Sequence, residues 1–104
     1  MRALDYANPQ YSFPASGAGE TVTPTTYTAV QDGMLVCFMR GWSKDGTHYY
    51  WVEYNASITI NNTSLPYATS NTSSDQRLIF YPISKDDIIS IKYYTGTAII
   101  FNYL

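Results

Sequence analysis

The chain has 104 residues, 45% of them hydrophobic and 16% aromatic but only 13% charged, with a formal net charge of −2. That length allows one domain with a single thin core. Six scattered basic residues (Arg2, Arg40, Lys44, Arg77, Lys85 and Lys92) offer no patch to neutralise phosphates, which excludes a nucleic-acid partner. No apolar run approaches the roughly 20 residues of a membrane-spanning helix, so no membrane insertion is expected.

Residues 1–25 hold three of the five prolines, Pro9, Pro14 and Pro24, in a Ser/Thr-rich stretch. They read as an extended lead-in packed on a domain spanning 26–104, able to pair as a short edge strand around Tyr11–Phe13. Thr25–Ala29 reads as the first patterned strand, and Gln31-Asp32-Gly33 as a turn in which Gly33 supplies a positive φ. Met34–Arg40 is apolar at both parities, the pattern of a central strand covered on both faces. Lys44-Asp45-Gly46-Thr47 is a hairpin signal, with His48–Tyr54 as the returning strand. Ser57–Asn61 alternates and sends Ile58 and Ile60 inward; Asn61–Ser64 turns and Leu65–Tyr67 returns. Ala68–Gln76 is a polar loop. The last third reads as strand, tight turn, strand, tight turn, strand: LIFYPI, SKDD, IISIKYY, TGT, AIIFNYL, ending inside a strand. No segment has a helical period. About seven to nine short strands with turns near every tenth residue predict an all-β, antiparallel β-sandwich of jelly-roll-like form.

Chemistry-bearing residues are sparse. Cys37 is the one cysteine, so no intramolecular disulfide forms, and within MLVCFM it reads as a buried, inert thiol. His48 is the one histidine, which rules out a multi-histidine metal site within one copy. Asp86 and Asp87 are adjacent on a turn and point apart, unlike the facing carboxylates of glycosidases. No Gly-x-Ser-x-Gly context is present. The expectation is a non-enzymatic protein with no catalytic residues, no metal and no cofactor. The sequons at Asn55, Asn61, Asn62 and Asn71 follow from the Asn/Ser/Thr-rich composition.

The most suggestive set is aromatic. Trp42, Tyr50 and Trp51 gather with Asp45 and His48 around the Asp45-Gly46 turn, and flat rings beside polar groups suit the apolar and hydroxyl faces of sugars. These five, with Asn62 and Asn71 on the exposed loops, are the candidate ligand-binding residues. Aromatic cross-strand pairing that only stabilises the sheet is the competing reading. Many aromatics and few charges on a thin sandwich would also expose much apolar area, which self-association would cover.

Several local elements together resemble the C-terminal head modules of phage tail fibres and related virion appendages. YTAVQDGMLVCF (Tyr27–Phe38) is similar to that group's opening strand, turn and apolar strand. ITINNTSLPY (Ile58–Tyr67) is similar to its hairpin, with Asn61-Asn62 where Asn-Gly is usual. YPISKDDIISI (Tyr81–Ile91) is similar to its late turn, with Asp86 in place of the customary glycine. The closing IIFNYL and the lead-in DYANPQYSF extend the likeness over residues 5–104. The resemblance implies a jelly-roll-like sandwich, usually a homotrimer, acting on the virion outside the cell. Its partners would be copies of itself and a bacterial cell-surface glycan or protein, bound for host attachment. Two alternatives stand beside it: a purely structural trimerisation, capping or capsid-decoration domain, and a carbohydrate-binding module of a bacterial secreted protein.

Overall fold

A computed structural model describes residues 2–17, 21–41, 56–65 and 77–104. They carry eight strands and no helix: β1 Leu4–Ser12, β2 Thr25–Thr28, β3 Gly33–Arg40, β4 Ser57–Ile60, β5 Thr63–Ser64, β6 Arg77–Ile83, β7 Ile88–Lys92 and β8 Thr95–Tyr103. These form two four-stranded antiparallel sheets, one ordered β1-β8-β3-β6 and the other β2-β7-β4-β5. The architecture is all-β and sandwich-like, as the alternating pattern implies.

The core lies between the sheets and follows the two-residue period of the strands. Ile58 and Ile60 of β4 and Ile89 and Ile91 of β7 face Leu35, Cys37 and Met39 of β3 and Ala98 and Ile100 of β8, all buried. Each buried Leu, Ile or Met side chain among them contributes about 1.5–3 kcal/mol relative to exposure. At one end of this layer Tyr93 is buried, and its hydroxyl donates to the Phe13 carbonyl at 2.6 Å. The Tyr93 amide donates to Ser16 Oγ at 3.0 Å, so the segment after β1 is locked onto the β7–β8 corner. Tyr11 and Tyr27 stack there at 4.1 Å between centroids, with Phe13 edge-on to Tyr11 at 4.8 Å.

The amino-terminal segment contributes a full edge strand. β1 runs from Leu4 to Ser12 along β8, well beyond the short pairing expected around Tyr11–Phe13. Pro9, which lacks an N–H, coincides with the register shifts on either side of it, as expected of an edge. Gln10 ties this strand to β2 and the loop after it: its Oε1 accepts from Tyr27 Oη and from the Val30 amide, both at 2.9 Å.

Four local readings change. The turns of the last third are corners between sheets, because β6, β7 and β8 join opposite sheets in succession. TGT is the start of β8, where Gly96 pairs with Met39, and the corner falls at Tyr93–Tyr94. The return strand after Asn61-Asn62 is Thr63–Ser64, since a two-residue turn pairs Thr63 directly with Ile60. Gly33 does not need its positive φ. A Cβ there would sit 2.5 Å from the Phe101 carbonyl oxygen, so glycine is required by close approach of β8.

β3 is central, between β8 and β6, and its second face is covered in part: Met34 is buried and Val36 half-buried, while Phe38 is 46% exposed. An apolar run at both parities requires burial of one face only, and β3 spends the other on a partly open surface.

Candidate functional site

Of the seven residues proposed from sequence, Trp42, Asp45, His48, Tyr50, Trp51 and Asn71 lie outside the described residues, as does the Asp45-Gly46 hairpin. Asn62 lies at the β4–β5 turn and is exposed. Asn61 and Asn62 have φ of 51° and 66°, the two left-handed positions of a type I′ hairpin turn. Asparagine tolerates this conformation because its short side chain bonds locally.

In Asn61 the carboxamide instead makes long-range bonds that tie this turn to the start of β7. Its Oδ1 accepts the Ile88 amide at 2.8 Å and its Nδ2 donates to Asp87 Oδ1 at 3.0 Å. Asp87 Oδ2 accepts the Ser84 amide at 2.8 Å. The Ser84–Asp87 corner is thereby closed, with Asp86 at φ 74° taking the position where glycine is usual. Its backbone docks on the β2–β3 loop, Asp86 N to Ala29 O and Ala29 N to Asp87 O, each at 2.9 Å. The Asp87 carboxylate and the Asp86 backbone therefore serve a turn, as their sequence position implies. Asn62 bears no such bond among the described residues, so Asn62→Gly is expected to raise stability by about 0.5–1 kcal/mol by relieving the left-handed φ. A higher thermal midpoint would bear this out, and a lower one would assign Asn62 a structural contact.

Beside this turn is a cleft of about 420 Å³ lined by Ile60, Asn61, Thr63, Leu65, Tyr81, Pro82, Ser84 and Asp87. Its origin is the brevity of β5. Tyr81 occupies the inward parity of β6, between Ile79 and Ile83, yet is 37% exposed. A two-residue strand opposite is too short to cover it. The cleft combines an aromatic ring and the apolar Leu65 and Pro82 with the hydroxyls of Thr63 and Ser84. Each Asp87 carboxylate oxygen already accepts one bond and has a second lone pair to offer. Rings and aliphatic walls beside hydroxyl and carboxylate acceptors form a surface that can take a polyhydroxylated ligand.

A second, shallower depression of about 360 Å³ is lined by Arg2, Gln31, Asp32, Lys85 and Tyr103. Its charged groups hold loops together. Asp32 Oδ1 accepts the Lys85 amide at 2.9 Å, and the Arg2 guanidinium lies 4.1 Å above the Tyr103 ring. Cys37 is fully buried, and burial pushes its thiol up to about 12, so it is not a nucleophile at neutral pH. Among the described residues no three His, Cys, Asp or Glu side chains gather to hold a metal ion. Nor is any described helix long and apolar enough to cross a membrane.

Sequence reasoning missed Tyr81, Leu65 and Pro82. The available signal was Pro82, since proline within an apolar strand marks an edge. That β5 would stop short of Tyr81 was not readable. No protein-family model matches this chain, and neither a curated protein nor a solved structure matches it.

Proposed function

We propose that this protein is a non-enzymatic virion appendage module of the tail-fibre head kind, a homotrimeric jelly roll that attaches to a saccharide on the bacterial surface. The observation that carries the reading is the strand order. A β1-β8-β3-β6 sheet against a β2-β7-β4-β5 sheet, in which successive described strands alternate between sheets except at β4–β5, supports the jelly-roll reading. Viral and lectin domains use that architecture. The step from fold to attachment is an analogy of architecture, and the sequence resemblance points the same way.

The β5–β6 cleft supplies the saccharide site in this reading. The Tyr81 ring packs against the C–H face of a sugar, and Thr63, Ser84 and Asp87 take its hydroxyls. One such open site binds weakly. Three held rigidly in a trimer gain avidity without further contacts.

The cleft is tested by titrating purified bacterial surface polysaccharides against Tyr81→Ala and Tyr81→Phe. Loss of the ring is expected to weaken binding about tenfold, equivalent to about 1.4 kcal/mol, while phenylalanine retains most of it. Equal binding by all three proteins would remove the cleft from the mechanism. A purely structural capping role is the second reading, and the apolar outer face of the β1-β8-β3-β6 sheet favours it.

A further inference from the structure

We propose that the outer face of the β1-β8-β3-β6 sheet is the surface on which copies of this chain pack against one another. The inference deepens the assembly part of the reading above and rests on that reading's self-association, not on its ligand.

Register defines the face. Val36 pairs with Phe80 on one side and Ile99 on the other, and Phe38 pairs with Leu78 and Thr97. All stand opposite the core-facing Leu35, Cys37 and Ala98, because successive side chains alternate. Leu78 is 61% exposed, Phe80 47% and Phe38 46%. At the β1 side Tyr6 is 64% exposed and lies edge-on to Phe101 at 4.9 Å. Leu4 and Met34 are buried but stand outside the main core cluster. By parity they form the floor of this second apolar layer, Leu4 opposite Tyr103 and Met34 opposite Phe101.

The middle row of the other sheet's outer face is built differently, although Ile88, 47% exposed, also stands on that face. There Thr26, Ser90, Thr59 and Ser64 stand in one cross-strand row, with Thr26 Oγ1 and Ser90 Oγ at 2.8 Å. Hydroxyls suit a surface left in water. Aromatic and aliphatic rows on the opposite surface suit one that is covered.

Two features identify the cover as another copy. The Val36 and Phe38 rows bear no charged side chain, the charges of this face being Arg40 in the next row and Arg2 over Tyr103, so two copies can meet on these rows without placing like charges together. The exposed portions of Tyr6, Phe38, Leu78 and Phe80 amount to roughly 400 Å², about half of the ~800 Å² each partner gives to a stable interface. The half-buried Val36, Ile99 and Phe101 and the adjoining β6 edge supply further area. Among the described strands β6 is an outer strand, and its proline comes only at the penultimate position.

Light scattering on the purified full chain tests this. The wild type is expected at a multiple of 11.7 kDa at micromolar concentration. The double variant Leu78→Lys/Phe80→Lys is expected at the single-chain mass with an unchanged β-type circular dichroism spectrum. Thr59→Lys/Ser90→Lys, on the hydroxyl face, is expected to keep the assembly. Should the double lysine variant not fold, the milder Phe80→Thr is expected to raise the dissociation constant at least tenfold. A monomeric wild type overturns the proposal, and so does a folded Leu78/Phe80 variant, or Phe80→Thr, that assembles like the wild type. Saccharide titration of the monomeric variant at high ligand concentration reports on the cleft separately, so failure of the interface and failure of the attachment reading are distinguishable.

Discussion

Gly96→Ala is expected to destabilise the fold by about 3 kcal/mol or more, well above the typical cost of a single substitution. Gly96 has φ 118°, a conformation that side-chain-bearing residues rarely adopt and that costs them about 1–3 kcal/mol. Overlap adds to this strain. A Cβ at Gly96 would run into the Phe38 carbonyl oxygen and stand 2.6 Å from Met39 Cα. Both obstacles are backbone of the central strand β3, so no side-chain rotation relieves them. Relief requires moving β8 away from β3 where Gly96 pairs with Met39, beside the buried Met39 side chain. Denaturant titration measures the loss. An alanine variant within 1 kcal/mol of the wild type would mean that the β3–β8 approach is looser than its geometry implies.

The second large effect is expected in alkali. Burial holds the Cys37 thiol protonated in the folded protein up to about 12, against an ordinary value of 9.0. Below pH 9 both folded and unfolded chains carry the proton, and the full stability is present. As pH rises through 9 the unfolded chain releases it while the folded chain cannot. Stability then falls by roughly 1.4 kcal/mol per pH unit from this group until pH approaches 12. Tyr93 and Tyr27 are also raised, mainly by burial, from an ordinary 10.0, and they steepen the fall at higher pH. Between pH 9 and 10 the thiol acts largely alone. Urea midpoints across that interval are expected to fall in the wild type and to stay nearly level in Cys37→Ala, whatever the cavity costs at neutral pH. Parallel slopes would show that the thiol reaches water in the folded state.

Much of the strand pattern was legible because its causes are local. The alternation at Ser57–Ile60 and Ile88–Lys92 sends Ile58, Ile60, Ile89 and Ile91 inward whatever those strands pair with. Asn61-Asn62 and Lys85-Asp86 were readable as turns because Asn and Asp accept left-handed backbone at small cost. Cys37 was readable as buried from its apolar neighbours. The role of Gly33 was not, since glycine serves both positive φ and close approach, and only the position of Phe101 decides between them. The cleft was legible only in part. The sequence pointed to the Asn61–Ser64 loop, but not to Tyr81, whose exposure depends on a strand in the opposite sheet.

What this sequence determined alone is therefore the β class, the inward residues of most strands and the places where the chain turns, all properties of neighbours along the chain. Which sheet each strand joins was decided by the tertiary structure, because alternation sets the face of a strand but not its partner. The same holds for SKDD and the Tyr93–Tyr94 corner, where short connections suited to hairpins carry the chain from one sheet to the other. It holds most clearly for β3. Leu35, Cys37 and Met39 are equivalent in composition to Met34, Val36 and Phe38. Only the second sheet, packed against the face of Leu35, Cys37 and Met39, places those three in the main core; on the other face Met34 is buried outside that core, while Phe38 is 46% exposed.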